Sequence, residues 1–374
     1  MAARPRLSVL IVSDAYYPYP SGLSEYVHHL ACKLRDWGHS VDIVAGSFGA
    51  RDNREHKAKR IGRCIFVPLN KSYAVLPVGF DVPGKIRWCV EGSGYDVIHL
   101  NGPIFPNLSF FALKYSKAKN VATFHTSSEK VQGFGNTFFK KVFSSVNGKI
   151  DIKIAVSEEA KRTNKFYVPG KYYVIPPGVE TRIYTPAGDV DDAMGTNTVL
   201  FVGRMDPRKG LDRLIKAFPY VKKRLADARL VVVGQGPLYK RYARMAAEEN
   251  ISDCVSFEGY AHSGEEIARY FRSATVYTSP AIGKESFGIV LIEAMASGTP
   301  VVASDIMGYK GVIEHGRNGL LVDTTDRESY AAALVELMND SKMRRKVIAE
   351  GLHDVYTKYS WDVVAGKIEQ LYYT

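Results

Sequence analysis

The sequence predicts an α/β protein of two doubly wound domains, and three observations carry that prediction. Short β-branched runs alternate with helix-period segments along the whole chain. Pro176-Pro177-Gly178 interrupts the alternation, because two prolines and a glycine continue neither a strand nor a helix. A second βα series starts beyond it, and 374 residues are comfortable for two such domains.

Leu7–Val12 reads as a buried first strand. From Leu23 to Trp37, apolar residues at Leu23, Val27, Leu30, Ala31 and Leu34 keep the helical period, and Gly38 stops the helix. Val41–Ala45, Asp96–Leu100, Asn120–Phe124, Ile152–Val156 and Tyr172–Ile175 are the next strands. After a Gly-, Asp- and Pro-rich loop from Thr185 to Asn197, strands fall at Thr198–Val202, Arg229–Val233, Cys254–Phe257, Thr275–Thr278, Pro300–Ala303 and Gly319–Val322. The domains are expected at 1–177 and 178–359, with a last helix within 360–374 that joins the first domain.

Composition excludes several classes. The longest apolar runs are too short for a membrane span. Cys32, Cys64, Cys89 and Cys254 are scattered without a C-x-x-C pair, which disfavours a disulfide framework or zinc site and fits a reducing cytosol. The net charge of +11 is unevenly placed: residues 1–177 hold 25 Lys+Arg against 13 Asp+Glu, and the remainder 25 against 26. The basic half suits a solvated surface or an anionic partner. It has no recognisable nucleic-acid-binding motif, so no nucleic-acid partner is expected.

The chemistry concentrates at turns that follow strands, where open α/β sheets bind ligands. Gly203-Arg204-Met205-Asp206-Pro207-Arg208-Lys209-Gly210 places cations at a helix start. A helix N-terminus disfavours cations, so a basic cluster there needs a reason, and a diphosphate supplies one. Gly234-Gln235-Gly236-Pro237 is a second such turn, suited to close backbone approach or simply to tightness. The segment from Gly283 to Pro300 starts a helix near Phe287 or Gly288, whose first amides form an anion site. Glu285 stands before that mouth and Glu293 eight residues on, so the two carboxylates can reach different parts of one elongated ligand. His125 ends a strand in the first half, and the turn from Tyr16 to Leu23 could face the same crevice.

Glu285 to Glu293 as E-x7-E, the Gly203–Lys209 pattern and the Gly22 loop together resemble the retaining glycosyltransferases of the GT-B fold, family four, along essentially the whole chain. Val121–Ser128, Glu285–Leu291, Val301–Asp305 and Tyr359–Val364 are similar to the bacterial phosphatidylinositol mannosyltransferases within it. The resemblance implies two Rossmann-like domains with a cleft between them and retention of anomeric configuration. It further implies a hexose moved from a nucleotide-sugar, GDP-mannose in that branch, to a lipid headgroup at the cytosolic membrane face. Arg204 and Lys209 would hold the diphosphate, Glu285 the sugar hydroxyls beside amides of Phe287, Gly288, Ile289 and Val290, and Glu293 the ribose. Gly234 would border the donor, Gly259 and Tyr260 the base, His125 the sugar, and Gly22 the phosphates. Tyr16, Ser21 and Asn101 are the acceptor-side candidates. The chain departs from the pattern with Ser21-Gly22 for Gly-Gly and Asn101-Gly102-Pro103 for His-Glu-Pro. A transferase with a soluble acceptor, and a GT-B epimerase or nucleotide-sugar-binding protein, remain open alternatives.

From Lys130 to Lys149 an aromatic stripe that includes Phe134, Phe138 and Phe139 is edged by Lys140 and Lys141. It fits an interfacial helix on anionic lipid, or an ordinary packed helix. Asp189-Val190-Asp191 lies in the loop after the hinge, so no catalytic metal or other cofactor is expected.

Overall fold

A computed structural model describes residues 5–374 except 20, 50–57, 70–71, 104–106, 127–146 and 284. The chain divides into two units, Met1–Gly178 with Trp361–Thr374, and Val179–Ser360.

In the first unit, the described elements run β1 (Ser8–Ser13), α1 (Gly22–Asp36), β2 (Ser40–Ser47), β3 (Ala58–Leu69), β4 (Ser72–Val78), α2 (Val82–Glu91) and β5 (Val97–Asn101). There follow α3 (Leu108–Tyr115), β6 (Lys119–Phe124), β7 (Ile152–Ala155), α4 (Glu158–Lys165) and β8 (Tyr173–Val174). The strand order is β4-β3-β2-β1-β5-β6-β7-β8, parallel except for the β3–β4 pair. Val9, Leu10, Ile11 and Val12 are all fully buried, which explains why this strand is a continuous apolar run rather than an alternating one.

The β3–β4 hairpin was not anticipated from the sequence. Strand β3 pairs with β2 only from Ala58 to Arg63, and beyond that point it pairs with β4 alone, from Arg63↔Val78 to Leu69↔Ser72. The pair therefore continues past the sheet as a two-stranded ribbon.

The second unit holds β9 (Thr198–Val202), α5 (Leu211–Arg224), β10 (Arg229–Val233), α6 (Tyr239–Glu248), β11 (Val255–Gly259), α7 (Gly264–Ser273) and β12 (Val276–Ser279). After these come α8 (Ile289–Ala296), β13 (Val301–Ser304), α9 (Met307–Lys310), β14 (Leu320–Val322), α10 (Arg327–Asn339) and α11 (Ser341–Asp354). The order β11-β10-β9-β12-β13-β14 is wholly parallel.

Helix α12 (Trp361–Tyr372) returns to the first unit. Its Val364, Ala365 and Ile368 share a core with Val27, Leu30 and Leu34 of α1. Polar contacts fix its register: Lys33 Nζ lies 2.8 Å from Asp362, His39 Nε2 lies 3.0 Å from Glu369, and the Tyr372 hydroxyl lies 2.6 Å from His99 Nδ1.

Candidate active site

Each sheet has one switch point, where the chain leaves a central strand first to one side and later to the other. In an open parallel sheet the loops flanking that point leave a crevice for ligand. In the second unit the point lies between β9 and β12, and in the first between β1 and β5.

At the β9–β12 point stand the residues that the sequence singled out. After β9 the chain makes a single 3-10 turn, Pro207–Lys209, before α5. Asp206 caps that turn by accepting from the Arg208 amide at 2.9 Å. The same carboxylate lies 3.3 Å from Arg208 Nη2 and 3.8 Å from Arg204 Nε, so one buried acid steadies two of the loop's three cations. The third, Lys209, points across the crevice, and its Nζ sits 2.8 Å from Glu285 Oε1 on the loop after β12. The two side chains are 23% and 14% exposed, so the pair is largely withdrawn from water yet open on one side. Arg204 is half exposed and available to a ligand. The structure therefore brings Lys209 and Glu285 into contact and places Arg204 on the same loop.

Close backbone approaches make this arrangement possible. Gly234 has φ +135°, and a Cβ there would fall 2.0 Å from the Gly203 carbonyl oxygen, so the turns after β9 and β10 touch main chain to main chain. A Cβ on Gly308, in α9 after β13, would fall 2.0 Å from the Glu285 carbonyl oxygen. Sequence reading passed over Gly308 because that contact joins loops more than twenty residues apart.

The helix after β12 begins later than the sequence suggested. Gly288 adopts a left-handed conformation (φ +88°) as the cap, and α8 starts at Ile289. Phe287 is buried, and the first-turn amides of Ile289 and Val290 belong to the group that a helix leaves without intrahelical acceptors. Glu285 thus stands in a turn outside the helix, and Glu293 is half-buried within it. Under this mouth the Ser279 and Tyr309 hydroxyls lie 2.6 Å apart. Gly259 ends β11, its carbonyl accepting from the Gly234 amide at 2.6 Å, and Tyr260 follows with an exposed ring.

In the first unit, Ser21 is the N-cap of α1, its hydroxyl accepting from the Ser24 amide at 3.1 Å, and Gly22 is the exposed first residue of that helix. Tyr16 and Asn101 are buried. The Tyr16 hydroxyl lies 3.1 Å from His28 Nδ1, and Asn101 bonds to the Val12 carbonyl at 3.1 Å and to His125 Nε2 at 2.9 Å. In this structure both therefore serve internal contacts rather than facing open solvent. His125 keeps some surface, but protein surrounds enough of the ring that burial pushes its pKa down to about 3, which leaves a neutral imidazole.

One group that sequence reading overlooked lies at this switch point. Asp14 follows β1, accepting from the Leu108 amide at 3.1 Å and from Asn107 Nδ2 at 2.6 Å. Burial pushes its pKa up to about 7, although both hydrogen bonds oppose the rise. The folded chain thus holds a proton that the unfolded chain, with the ordinary value of 3.8, releases. Stability contributed here is present below about pH 4 and is lost as pH rises to about 7. Asp14→Asn removes the ionisation, so its melting temperature relative to wild type should shift in the variant's favour between pH 5 and pH 8, by about 1–3 kcal/mol of stability. A difference independent of pH would show that Asp14 ionises alike in both states.

Phe134, Phe138, Phe139, Lys140 and Lys141 lie outside the described residues. Among the described residues no helix is long and apolar enough to cross a membrane, and no three His, Cys, Asp or Glu side chains cluster as a metal site.

Comparison with known proteins accords with this geometry. The family profile "Glycosyltransferase Family 4" matches residues 20–183, and "Glycosyl transferases group 1" matches residues 189–354. A phosphatidyl-myo-inositol mannosyltransferase of Mycolicibacterium smegmatis is 35% identical over 361 residues, covering 96% of this chain and 91% of the relative. A glycosyltransferase crystal structure from Rickettsia africae superposes with a TM-score of 0.80 at 20% identity, covering 99% and 98% of the two chains. HepE of Anabaena, solved with UDP and glucose, superposes with a TM-score of 0.78 at 17% identity, covering 99% and 100%. The chain is a GT-B-fold glycosyltransferase and belongs to family 4, alongside the phosphatidyl-myo-inositol mannosyltransferases.

Proposed function

We propose that the protein transfers a mannosyl group from GDP-mannose to the inositol headgroup of phosphatidylinositol at the cytosolic face of the cell membrane, with retention of anomeric configuration. The observation that carries this reading is the Lys209–Glu285 pair at the β9–β12 switch point, with Arg204 on the same loop. A nucleoside diphosphate leaving group needs cations and oriented amides, and the sugar needs a carboxylate for its hydroxyls. Arg204, Lys209 and the start of α8 supply the first, and Glu285 the second. As the bond from the anomeric carbon to the donor phosphate breaks, its electron pair stays on the phosphate oxygen. The acceptor hydroxyl forms the new bond from the same face, and its proton passes to that phosphate oxygen. The cations at Arg204 and Lys209 do the work of neutralisation, so transfer should proceed in a chelating buffer.

A lipid acceptor is supported by the mannosyltransferase likeness and by the surface of the first unit. Helix α2 buries Val82, Ile86, Cys89 and Val90 against the root of β3 and leaves Lys85, Arg87 and Trp88 exposed, and Phe80, just before the helix, is exposed as well. The neighbouring ribbon exposes Arg63, Ile65, Phe66 and Val67. Exposed rings among cations in a half with an excess of 12 positive charges suit an anionic bilayer surface.

The test supplies radiolabelled GDP-mannose and phosphatidylinositol vesicles to the full-length chain in chelator. Labelled mannolipid of the donor's configuration is expected, with vesicle binding weakened by added salt and by Phe80→Ser with Trp88→Ser. Transfer only to soluble sugars would overturn the lipid acceptor, and turnover of UDP-sugars alone would overturn the donor.

A further inference from the structure

Asn101 closes β5, and His125 follows β6, the neighbouring strand. Only one orientation of the Asn101 amide fits its surroundings. Its Nδ2 donates to the Val12 carbonyl at 3.1 Å, and a carbonyl can only accept. The Oδ1 end therefore faces His125, 2.9 Å from Nε2. An amide oxygen also only accepts, so Nε2 must carry a proton. In a neutral ring, Nδ1 then carries none.

The surrounding contacts hold this arrangement. The Asn101 backbone amide donates to Ser109 Oγ at 3.2 Å, and that hydroxyl lies 2.9 Å from the Asn101 carbonyl oxygen. Tyr26 meets the His125 ring edge to face, centroids 4.7 Å apart at 80°. Asn164 Nδ2 donates to the Thr126 carbonyl at 3.0 Å, which ties down the residue that follows. Strand β5 also presents His99, pushed down to about 3 chiefly by burial, so this imidazole adds no charge beside His125.

We infer that Asn101 is a positioning residue. It locks His125 as the Nε2–H tautomer, so that Nδ1 is offered as an acceptor to a hydroxyl of the sugar being transferred. The inference rests on the glycosyl-transfer reading, in which His125 borders that sugar. A neutral acceptor serves this chemistry for a physical reason. The anomeric carbon gains positive character as its bond to phosphate breaks, and an imidazolium beside it would oppose that charge. An asparagine can hold the tautomer without adding charge of its own.

The test reads ring-nitrogen chemical shifts in full-length, ligand-free protein labelled with 15N-histidine, the His125 signals being identified by their loss in His125→Gln. Wild type should show a protonated Nε2 and a bare Nδ1 from pH 6 to pH 8. In Asn101→Leu the Nδ1–H tautomer should appear, and kcat should fall at least ten-fold while the affinity for free GDP stays within two-fold. In Asn101→Asp, which keeps the shape but adds a carboxylate, both nitrogens should be protonated at pH 7 and kcat should fall again. A wild-type ring protonated on Nδ1, or Asn101→Leu with unchanged kcat, would overturn the inference. Because the tautomer is read without substrate, an error in the assigned donor or acceptor cannot imitate that failure.

Discussion

Replacing Lys209 by Ala is expected to lower glycosyl transfer by about 10²–10³-fold, the usual cost of removing one group that stabilises developing negative charge. Two effects combine. On the proposed reading the leaving diphosphate loses one of its cations, and Glu285, whose Oε1 rests 2.8 Å from the Lys209 ammonium, is left as a largely buried, uncompensated carboxylate. The same contact makes a second result follow. Lys209 is held by Glu285, so on the proposed reading an arriving diphosphate would draw it away and free Glu285 for the sugar hydroxyls. Glu285→Gln weakens the competitor for Lys209. It should therefore leave the calorimetric affinity for free GDP unchanged or raised while turnover collapses. Lys209→Ala should lose both affinity and turnover. If Lys209→Ala keeps wild-type kinetics, the pair is an internal ion pair and the diphosphate lies elsewhere. If Glu285→Gln abolishes GDP binding, the division between sugar and phosphate at this site is wrong.

These residues were legible in the sequence because the signals were local. A strand at 198–202 followed at once by a glycine and cations marks a turn of the kind where open α/β sheets bind ligands, and the folded chain has that strand at Thr198–Val202. The β3–β4 ribbon was not legible. Its strands carry Gly62, Pro68 and Pro77 among basic residues, and they lack the buried β-branched run that marks a central strand. The start of α8 was placed one or two residues early, because a glycine's capacity for positive φ does not reveal which conformation it adopts. The inward facing of Tyr16 and Asn101 was hidden for a related reason: at a strand end, residue type does not reveal whether a polar tip meets ligand or a neighbouring strand. Asp14 was overlooked because its unusual ionisation comes from burial in the folded chain, which its neighbours in the sequence do not reveal. Asp206 was given no role in the sequence, although its side chain caps the Pro207–Lys209 turn.

Gly308→Ala is expected to cost about 10²-fold in turnover without touching any group that meets the substrate. A Cβ at this position would fall 2.0 Å from the Glu285 carbonyl oxygen, and the contact is with backbone, which cannot swing aside as a flexible side chain could. Relief requires the loop after β12 to retreat by about 1 Å, and displacements of that size at a reacting centre cost about two orders of magnitude. Glu285 would move with its own backbone, while Arg204 and Lys209, carried on the loop after β9, would stay. The variant should therefore bind free GDP close to wild type and fail in sugar transfer, a separation that general unfolding would not produce. Gly311, which caps the same helix, is the control, since a Cβ there would meet no atom within 4 Å. Gly311→Ala should transfer sugar at the wild-type rate. Steady-state kinetics with GDP-mannose and calorimetry with GDP decide the matter together. Wild-type turnover in Gly308→Ala, or equal damage from Gly311→Ala, would mean that the Glu285 loop tolerates displacement and that its main-chain contact with α9 does not set the geometry of the sugar site.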